Sequence, residues 1–276
     1  MDTDKWWSTW APIWDRIEDR HFGTKATESL MNYIKSRVLV VGAGLGLIVR
    51  YLANKNLDAV GLDINPDMVK IAKDKYNIDI VEGDAMDLPF GENLFRTVIL
   101  SSGVVDYGAD DAQIKTLISE ALRVCSAGGH VLSAFYKLPR QLEKIYRRIG
   151  VIDKKDIYHM DRIFTIDEVS ARNPLMCIPH IRKWTGKPFI RILFEWMWIG
   201  LTLPISGLIT ERDWMRDNIK FAEEIGLKKQ DLLDCVPDKL PYWTKSRIEK
   251  LLARIGVGYR EIKEFDDCAV VIIEKS

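Results

Sequence analysis

The spacing of apolar residues changes abruptly at Val38. Val38-Leu39-Val40-Val41 is apolar at every position, the pattern of a strand buried on both faces. Gly42-Ala43-Gly44-Leu45-Gly46 follows with alternate glycines, and Leu47 to Ala53 continues at helical spacing. The stretch predicts a strand, a tight turn with exposed backbone and a helix start. Without Cβ atoms, such a turn lets a ligand lie directly on main-chain N–H groups. The alternation then repeats. Ala59 to Leu62 predicts a second strand, and Asn65 before Pro66 predicts a helix docked through Met68, Ile71 and Ala72. Ile78 to Val81 and Thr97 to Leu100 predict the third and fourth strands. Asp110 or Asp111 caps a helix whose Ile114, Leu117, Ile118, Ala121 and Leu122 share one face, and Val131 to Tyr136 closes the parallel part.

The pattern differs on either side of this core. Trp6 to Tyr33 reads as a lead-in of short helices, with Leu30, Met31, Tyr33 and Ile34 at helical spacing after Thr27. Its Trp10, Trp14 and Tyr33 either close over a bound ligand or pack on the sheet. From Lys137 to about Pro241 the alternation stops, across a connection whose ordinary length is only a few residues. This region reads as an inserted cap. After Pro241 the core resumes: Ser246-x-x-Glu249 reads as a capping box, Ile248, Leu251, Leu252 and Ile255 as a buried face, and Gly256 as the helix end. Tyr259 to Phe265 and Cys268 to Ile273, joined by Asp266-Asp267, read as a hairpin. No internal repeat or low-complexity segment interrupts the order.

Asp63 ends the second strand about twenty residues past the first glycine, where an acid grips the hydroxyls of a nucleoside ribose. Dinucleotide folds and adenosyl-sulfonium folds share this arrangement, so glycine spacing separates them. A dinucleotide fingerprint, G-x-G-x-x-G, needs its third glycine where Leu47 stands. The pattern here is G-x-G-x-G.

That stretch resembles motif I of the class I S-adenosylmethionine-dependent methyltransferases, and later stretches resemble that family's other motifs in order. Leu62-Asp63-Ile64-Asn65-Pro66-Asp67-Met68 is similar to the second motif, with Asp63 at the ribose position. Glu82-Gly83-Asp84-Ala85, followed by Asp87-Leu88-Pro89-Phe90, is similar to the third, whose acid faces the adenine amino group. Glu120-Ala121-Leu122-Arg123-Val124 with Gly128-Gly129, and the opening Trp10-Ala11-Pro12-Ile13-Trp14-Asp15, resemble the ubiquinone and menaquinone biosynthesis type. The resemblance covers about the first half and the last thirty residues. It implies an α/β fold: a Rossmann-like seven-stranded sheet, mostly parallel with an antiparallel last strand, and a largely helical cap after strand 5. The corresponding regions are 1–36 (lead-in), 37–136 (core), 137–241 (cap) and 242–276 (core completion). Two positions depart from the family. Val40 replaces the usual acid two residues before the first glycine, and Phe95-Arg96 stands where Phe-Asp is usual.

Composition narrows the partners. With 40 basic and 40 acidic residues the formal net charge is zero, which argues against a duplex nucleic acid partner. Cys125, Cys177, Cys235 and Cys268 lack C-x-x-C spacing, and His21, His130, His159 and His180 are far apart, so no metal site and reduced thiols are expected. Charged residues between the tryptophans of the first twenty positions do not form a secretory leader, and the expected location is cytoplasmic. One run within the cap, Ile192 to Ile209, approaches the length of a membrane span, but Glu195, Pro204 and two glycines break it. Arg182, Lys183, Trp184, Lys187 and Arg191 precede it as basic and aromatic anchors. Peripheral membrane contact through 184–210 and an apolar cover over a substrate pocket are both open.

The resemblance implies S-adenosylmethionine as cofactor, with Gly42, Ala43, Gly44 and Gly46 beneath its methionyl half. Asp63 and Ile64 would lie at the ribose, Asp84, Ala85 and Met86 around the adenine, and Ser101 at the edge of the fourth strand. A carbon or alcohol acceptor would also need a base. Candidates are Asp106, Tyr107 and Tyr136 at the strand edge and Tyr158, His159 and Asp161 in the cap; His159 is the sharpest, because an imidazole titrates near neutrality. The reading is a methyltransferase for a small apolar or amphiphilic acceptor, quinone-like or lipid-like. A catalytically silent protein on the same fold and a nicotinamide oxidoreductase are the alternatives; the glycine spacing disfavours the latter.

Overall fold

The computed structural model describes residues 3–16, 23–106, 110–138, 140–159, 162, 177–194, 220–228 and 239–276. The chain divides into two compact units, Met1–Lys137 with Trp243–Ser276, and Leu138–Tyr242.

The first unit opens with α1 (Thr3–Trp10), a 3₁₀ turn (Ala11–Arg16) and α2 (Thr24–Ser29). It continues as β1 (Val38–Val41), α3 (Leu47–Asn54), β2 (Ala59–Asp63), α4 (Pro66–Tyr76), β3 (Ile80–Glu82) and β4 (Phe95–Leu100). Then come α5 (Ser102–Asp106), α6 (Asp111–Val124) and β5 (Cys125–Tyr136). The sheet has seven strands in the order β3-β2-β1-β4-β5-β9-β8, where β8 is Glu261–Glu264 and β9 is Cys268–Glu274. β1 to β5 are parallel, and β9 runs antiparallel to both β5 and β8.

Both faces of the sheet are covered, which is why its strands are apolar without alternation. In β1, Leu39 and Val41 join a core with Val98, Leu100, Leu117 of α6 and Leu251. Val38 and Val40 point the other way, into a core with Leu30, Ile48, Leu52 and Ile99. The period of two along a strand places successive side chains on opposite faces.

Helix ends follow their capping chemistry. Asn65 accepts a hydrogen bond from Met68 N, with Pro66 at the first helical position of α4. Asp110, not Asp111, caps α6, in a reciprocal box with Gln113. Several expected boundaries move. The third strand starts at Ile80 rather than Ile78, because the Ile78 N–H is used on Ala72 O to close α4. The helix after the cap begins at Lys245, since the Thr244 hydroxyl accepts from Arg247 N; the box predicted at Ser246 and Glu249 does not form its start. Leu30 to Ile34 lie in tight turns bonded three residues back, beyond the end of α2 rather than in a helix.

In the second unit, α7 (Arg140–Ile149) precedes a small antiparallel pair, β6 (Ile157–His159) with β7 (Lys239–Pro241), and α8 spans Cys177–Thr185. Tyr146 stacks on Tyr158, with ring centroids 5.9 Å apart, and Arg147 lies over the Tyr242 ring while pairing with Glu143 and Asp156. The last helix of the first unit, α9, is Lys245–Ile255. Tyr107, Asp161 and residues 195–209 of the apolar run lie outside the described residues.

Candidate active site

The strand order reverses at β1: β2 and β3 lie on one side, β4 and β5 on the other. A crevice at the carboxyl ends of β1 and β4 is where open α/β sheets bind ligands. Gly42, Gly44 and Gly46 occupy it with φ of 70°, 55° and 83°, left-handed conformations that side chains resist.

The turn brings backbone close, but its N–H groups are not bare. Gly42 N and Ala43 N donate to Leu62 O, Gly44 N donates to Asp63 Oδ2 at 2.8 Å, and Gly46 N donates to Ala43 O. The expectation that these four amides stand open to a ligand is therefore corrected. The three glycines permit the turn's shape and a close approach, while the donors of Gly42, Ala43 and Gly44 tie the turn to β2 and that of Gly46 closes the turn on itself.

Asp63 is the hinge of that arrangement. Its Oδ1 accepts from Asn65 N at 2.9 Å and its Oδ2 from Gly44 N at 2.8 Å. Burial lifts its carboxyl above the usual range, against the lowering effect of hydrogen bonds from Asn65, Gly44 and Ile64. Beyond it, Ile64 is 49% exposed and Met86 is 39% exposed, two large apolar side chains in the loops after β2 and β3. Asp84 is exposed and accepts from Met86 N, which shapes the loop after β3. That loop is clamped from α6: Arg123 donates to Leu88 O and Phe90 O, and Glu120 accepts from both Leu88 N and Arg123. The Arg123 guanidinium holds the Glu120 carboxyl below its ordinary range. This clamp was visible in the sequence only as part of a motif, with no role attached.

On the β4 side, Ser101 N bonds to Val41 O, and α5 begins at once. A Cβ added to Gly42 would come within 2.4 Å of Val104 Cγ2, so α5 packs tightly onto the turn. The Trp7 ring lies against Gly103, and Ser8 Oγ accepts from Asn65 Nδ2 at 3.0 Å; α1 thus touches both the α4 and the α5 sides of the crevice. Trp7 was not singled out by its sequence. Trp14 makes an edge contact with Trp7, and Trp10 is buried. Tyr33 is at the opposite edge, bonded to Glu261 and in edge contact with His130, which of its two expected roles favours packing over closure at the glycine turn.

The candidate bases have contrasting surroundings. Asp106 is buried, with Oδ2 accepting from Tyr136 N at 2.7 Å, and the Trp243 indole N–H makes a looser contact that lowers its pKa. Burial dominates and pushes its carboxyl well above the usual range. This contact joins the end of α5 to the end of β5. It also has a pH consequence. A carboxyl whose folded pKa exceeds its unfolded value of about 3.9 contributes stability fully below that value and loses it as pH rises through the folded pKa. Asp106→Asn keeps an acceptor for Tyr136 N and removes the ionisation. The loss of urea-midpoint stability between about pH 4 and pH 8 is expected to be smaller in Asp106→Asn than in the native protein; equal losses would contradict the buried assignment.

Tyr136 is half-buried at the end of β5. His159 belongs to the second unit, where it is buried and its Nε2 lies 3.2 Å from Asp153 Oδ2. Burial alone would raise the Asp153 carboxyl; hydrogen bonds from Ile157 N, His159 and Lys155 N outweigh it and hold the pKa low. Among the described residues no cluster of His, Cys, Asp and Glu could hold a metal ion. Val40, in the place of the acid usual two residues before the first glycine, is buried in the apolar core.

Residues 38–129, from the first residue of β1 to Gly129 in β5, match the family profile described as a methyltransferase domain. The match covers about a third of the chain. The chain is 36% identical over 104 residues to a demethylmenaquinone methyltransferase from Renibacterium salmoninarum, across 37% of this chain and 42% of the relative. A fatty-acid O-methyltransferase from Mycolicibacterium smegmatis is 36% identical over 101 residues, 35% of each chain. The matches thus span less than half the length of these relatives. A SAM-dependent methyltransferase structure from Methanosarcina mazei aligns with a TM-score of 0.50 at 14% identity, covering 88% of this chain and 95% of that one, which shows a shared fold. The matched region contains the glycine turn, Asp63, Asp84 and Asp106, and ends before Tyr136 and His159.

Proposed function

We propose that this protein transfers a methyl group from S-adenosylmethionine to a small apolar or amphiphilic acceptor, quinone-like or lipid-like. The observation that carries the reading is the pairing of a three-glycine turn with the Asp63 carboxylate at the point where strand order reverses. The residues fit the cofactor. Backbone at Gly42, Ala43, Gly44 and Gly46 gives its methionyl half a floor, with Ser101 at the crevice edge. The acceptor capacity that its backbone donors leave on Asp63 suits a ribose hydroxyl, and Asp84 suits an exocyclic amine. Ile64, Ala85 and Met86 offer an apolar border for a planar base.

S-adenosylmethionine supplies a methyl group already activated by a positive sulfur. The protein's work is to align an acceptor and exclude water. In this reading α5 holds the glycine turn from above, through Val104, and Asp106 fixes α5 against β5. Asp106 therefore acts as a positioning residue, while Tyr136 and His159 remain the candidates for proton transfer. The names of the relatives, one acting on demethylmenaquinone and one on fatty acids, support the acceptor class.

Val40 favours a second reading, a protein that binds the cofactor without turnover, since the polar group usual there is missing. Incubating purified protein with methyl-labelled S-adenosylmethionine and a cell extract separates the two. Label in a small apolar product supports transfer; binding of the cofactor with no labelled product supports the silent protein. A cytoplasmic location with peripheral membrane contact through 184–210 completes the proposal. Among the described residues no helix is long and apolar enough to cross a membrane.

A further inference from the structure

Of the eight large apolar side chains exposed among the described residues, three fall within six positions: Phe189 (52%), Ile190 (59%) and Phe194 (64%). Residues 189–194 are helical. At about 100° per residue, Phe189, Ile190 and Phe194 occupy one half of that helix, and Ile192, 1% exposed, falls on the other. The helix is therefore anchored by Ile192 and presents its apolar half to solvent. This pattern is inverted relative to an ordinary surface helix, whose polar half faces out.

The charge beside it has one sign. Residues 177–194 contain Arg182, Lys183, Lys187 and Arg191 and neither Asp nor Glu, in a chain whose total charge is balanced. Arg182, Lys183 and Arg191 are exposed; Lys187 Nζ donates to Arg148 O. α8 buries Cys177, Ile178 and Ile181, which turns Arg182 and Lys183 outward. Trp184 adds an amphipathic ring, with the Arg162 guanidinium 5.5 Å from its centroid. Gly186, with φ of 68°, ends α8 and permits the turn into the second helix.

We propose that this surface docks on a bilayer containing anionic phospholipids. Exposed Phe and Ile side chains suit the acyl boundary, and neighbouring cations suit phosphate headgroups. The inference names the membrane chemistry within the functional reading above and rests on that reading only for its use: an amphiphilic acceptor would be met in the bilayer.

The test is co-sedimentation of the full chain with large vesicles of phosphatidylcholine alone or mixed with phosphatidylglycerol. Binding is expected to the mixed vesicles, with marked loss as salt rises from about 0.1 M to about 1 M. Arg182→Gln with Lys183→Gln is expected to lower the partition coefficient roughly thirtyfold at low salt. Phe189→Ser with Phe194→Ser should lower it at least about tenfold. The charge pair is exposed, so it keeps the test valid even where the aromatic pair impairs folding. Failure to bind mixed vesicles, equal binding to both vesicle types, or unchanged binding by the charge variant would overturn the proposal. Cofactor titration of the native protein reads the catalytic proposal separately: native protein that binds the cofactor but not mixed vesicles rejects the docking surface alone, and native protein that binds mixed vesicles but not the cofactor rejects the methyltransferase reading alone.

Discussion

Gly42→Ala is expected to destabilise the protein by about 2–4 kcal/mol, combining the strain of a left-handed backbone with overpacking. The position has φ of 70°, and the added Cβ would lie 2.4 Å from Val104 Cγ2. Val104 is branched at Cβ and sits on a short helix whose far end is held by the contact between Asp106 and Tyr136 N, so it has little room to yield. Relief would displace α5 and open the edge of the crevice. Gly91 supplies the control: nothing lies within 4 Å of an added Cβ there, and Gly91→Ala should change stability by no more than about 0.5 kcal/mol. Urea unfolding of both variants checks the contrast. Equal midpoints would show that α5 does not press on the glycine turn.

The second large effect is expected at Asp63. Asp63→Ala should weaken S-adenosylmethionine binding by about ten- to a hundredfold, the scale of losing one charge-assisted hydrogen-bonding residue. Part of that loss is indirect, because Gly44 N and Asn65 N lose their acceptors and the turn loses its tie to β2. Asp63→Asn can satisfy one of the two amides and should retain more stability than the Ala variant while still binding weakly. Paired measurements of melting temperature and dissociation constant separate the two contributions. An unchanged dissociation constant in Asp63→Ala would remove Asp63 from the site.

The sheet was legible because its strands carry continuous apolar runs and its helices carry one-sided ones. Val38 to Val41 and Ile114 to Leu122 needed no tertiary information to be placed. Boundaries moved where a single backbone group found a nearer partner: Ile78 N–H on Ala72 O, and Arg247 N on the Thr244 hydroxyl. Periodicity does not encode such choices. The glycine turn was placed correctly as a close backbone approach, but the amides of Gly42, Ala43 and Gly44 are used on β2, a long-range fact that glycine spacing alone does not contain. Tyr33 and Trp7 show the same limit for aromatics. Both stand in the lead-in, and only the path of the chain sends Trp7 to Gly103 and Tyr33 to His130 at the opposite edge. Asp106 read as a candidate base at the strand edge. Its burial follows from α5 folding back on β5 and from Trp243 arriving from the far end of the chain, beyond the inserted unit.

Isothermal titration of the full chain with S-adenosylmethionine and with its demethylated product tests the central claim most directly. The account predicts saturable binding of both ligands at a single site, weakened about ten- to a hundredfold by Asp63→Ala. No heat of binding from either ligand at millimolar concentration, in protein shown to be folded, would contradict it.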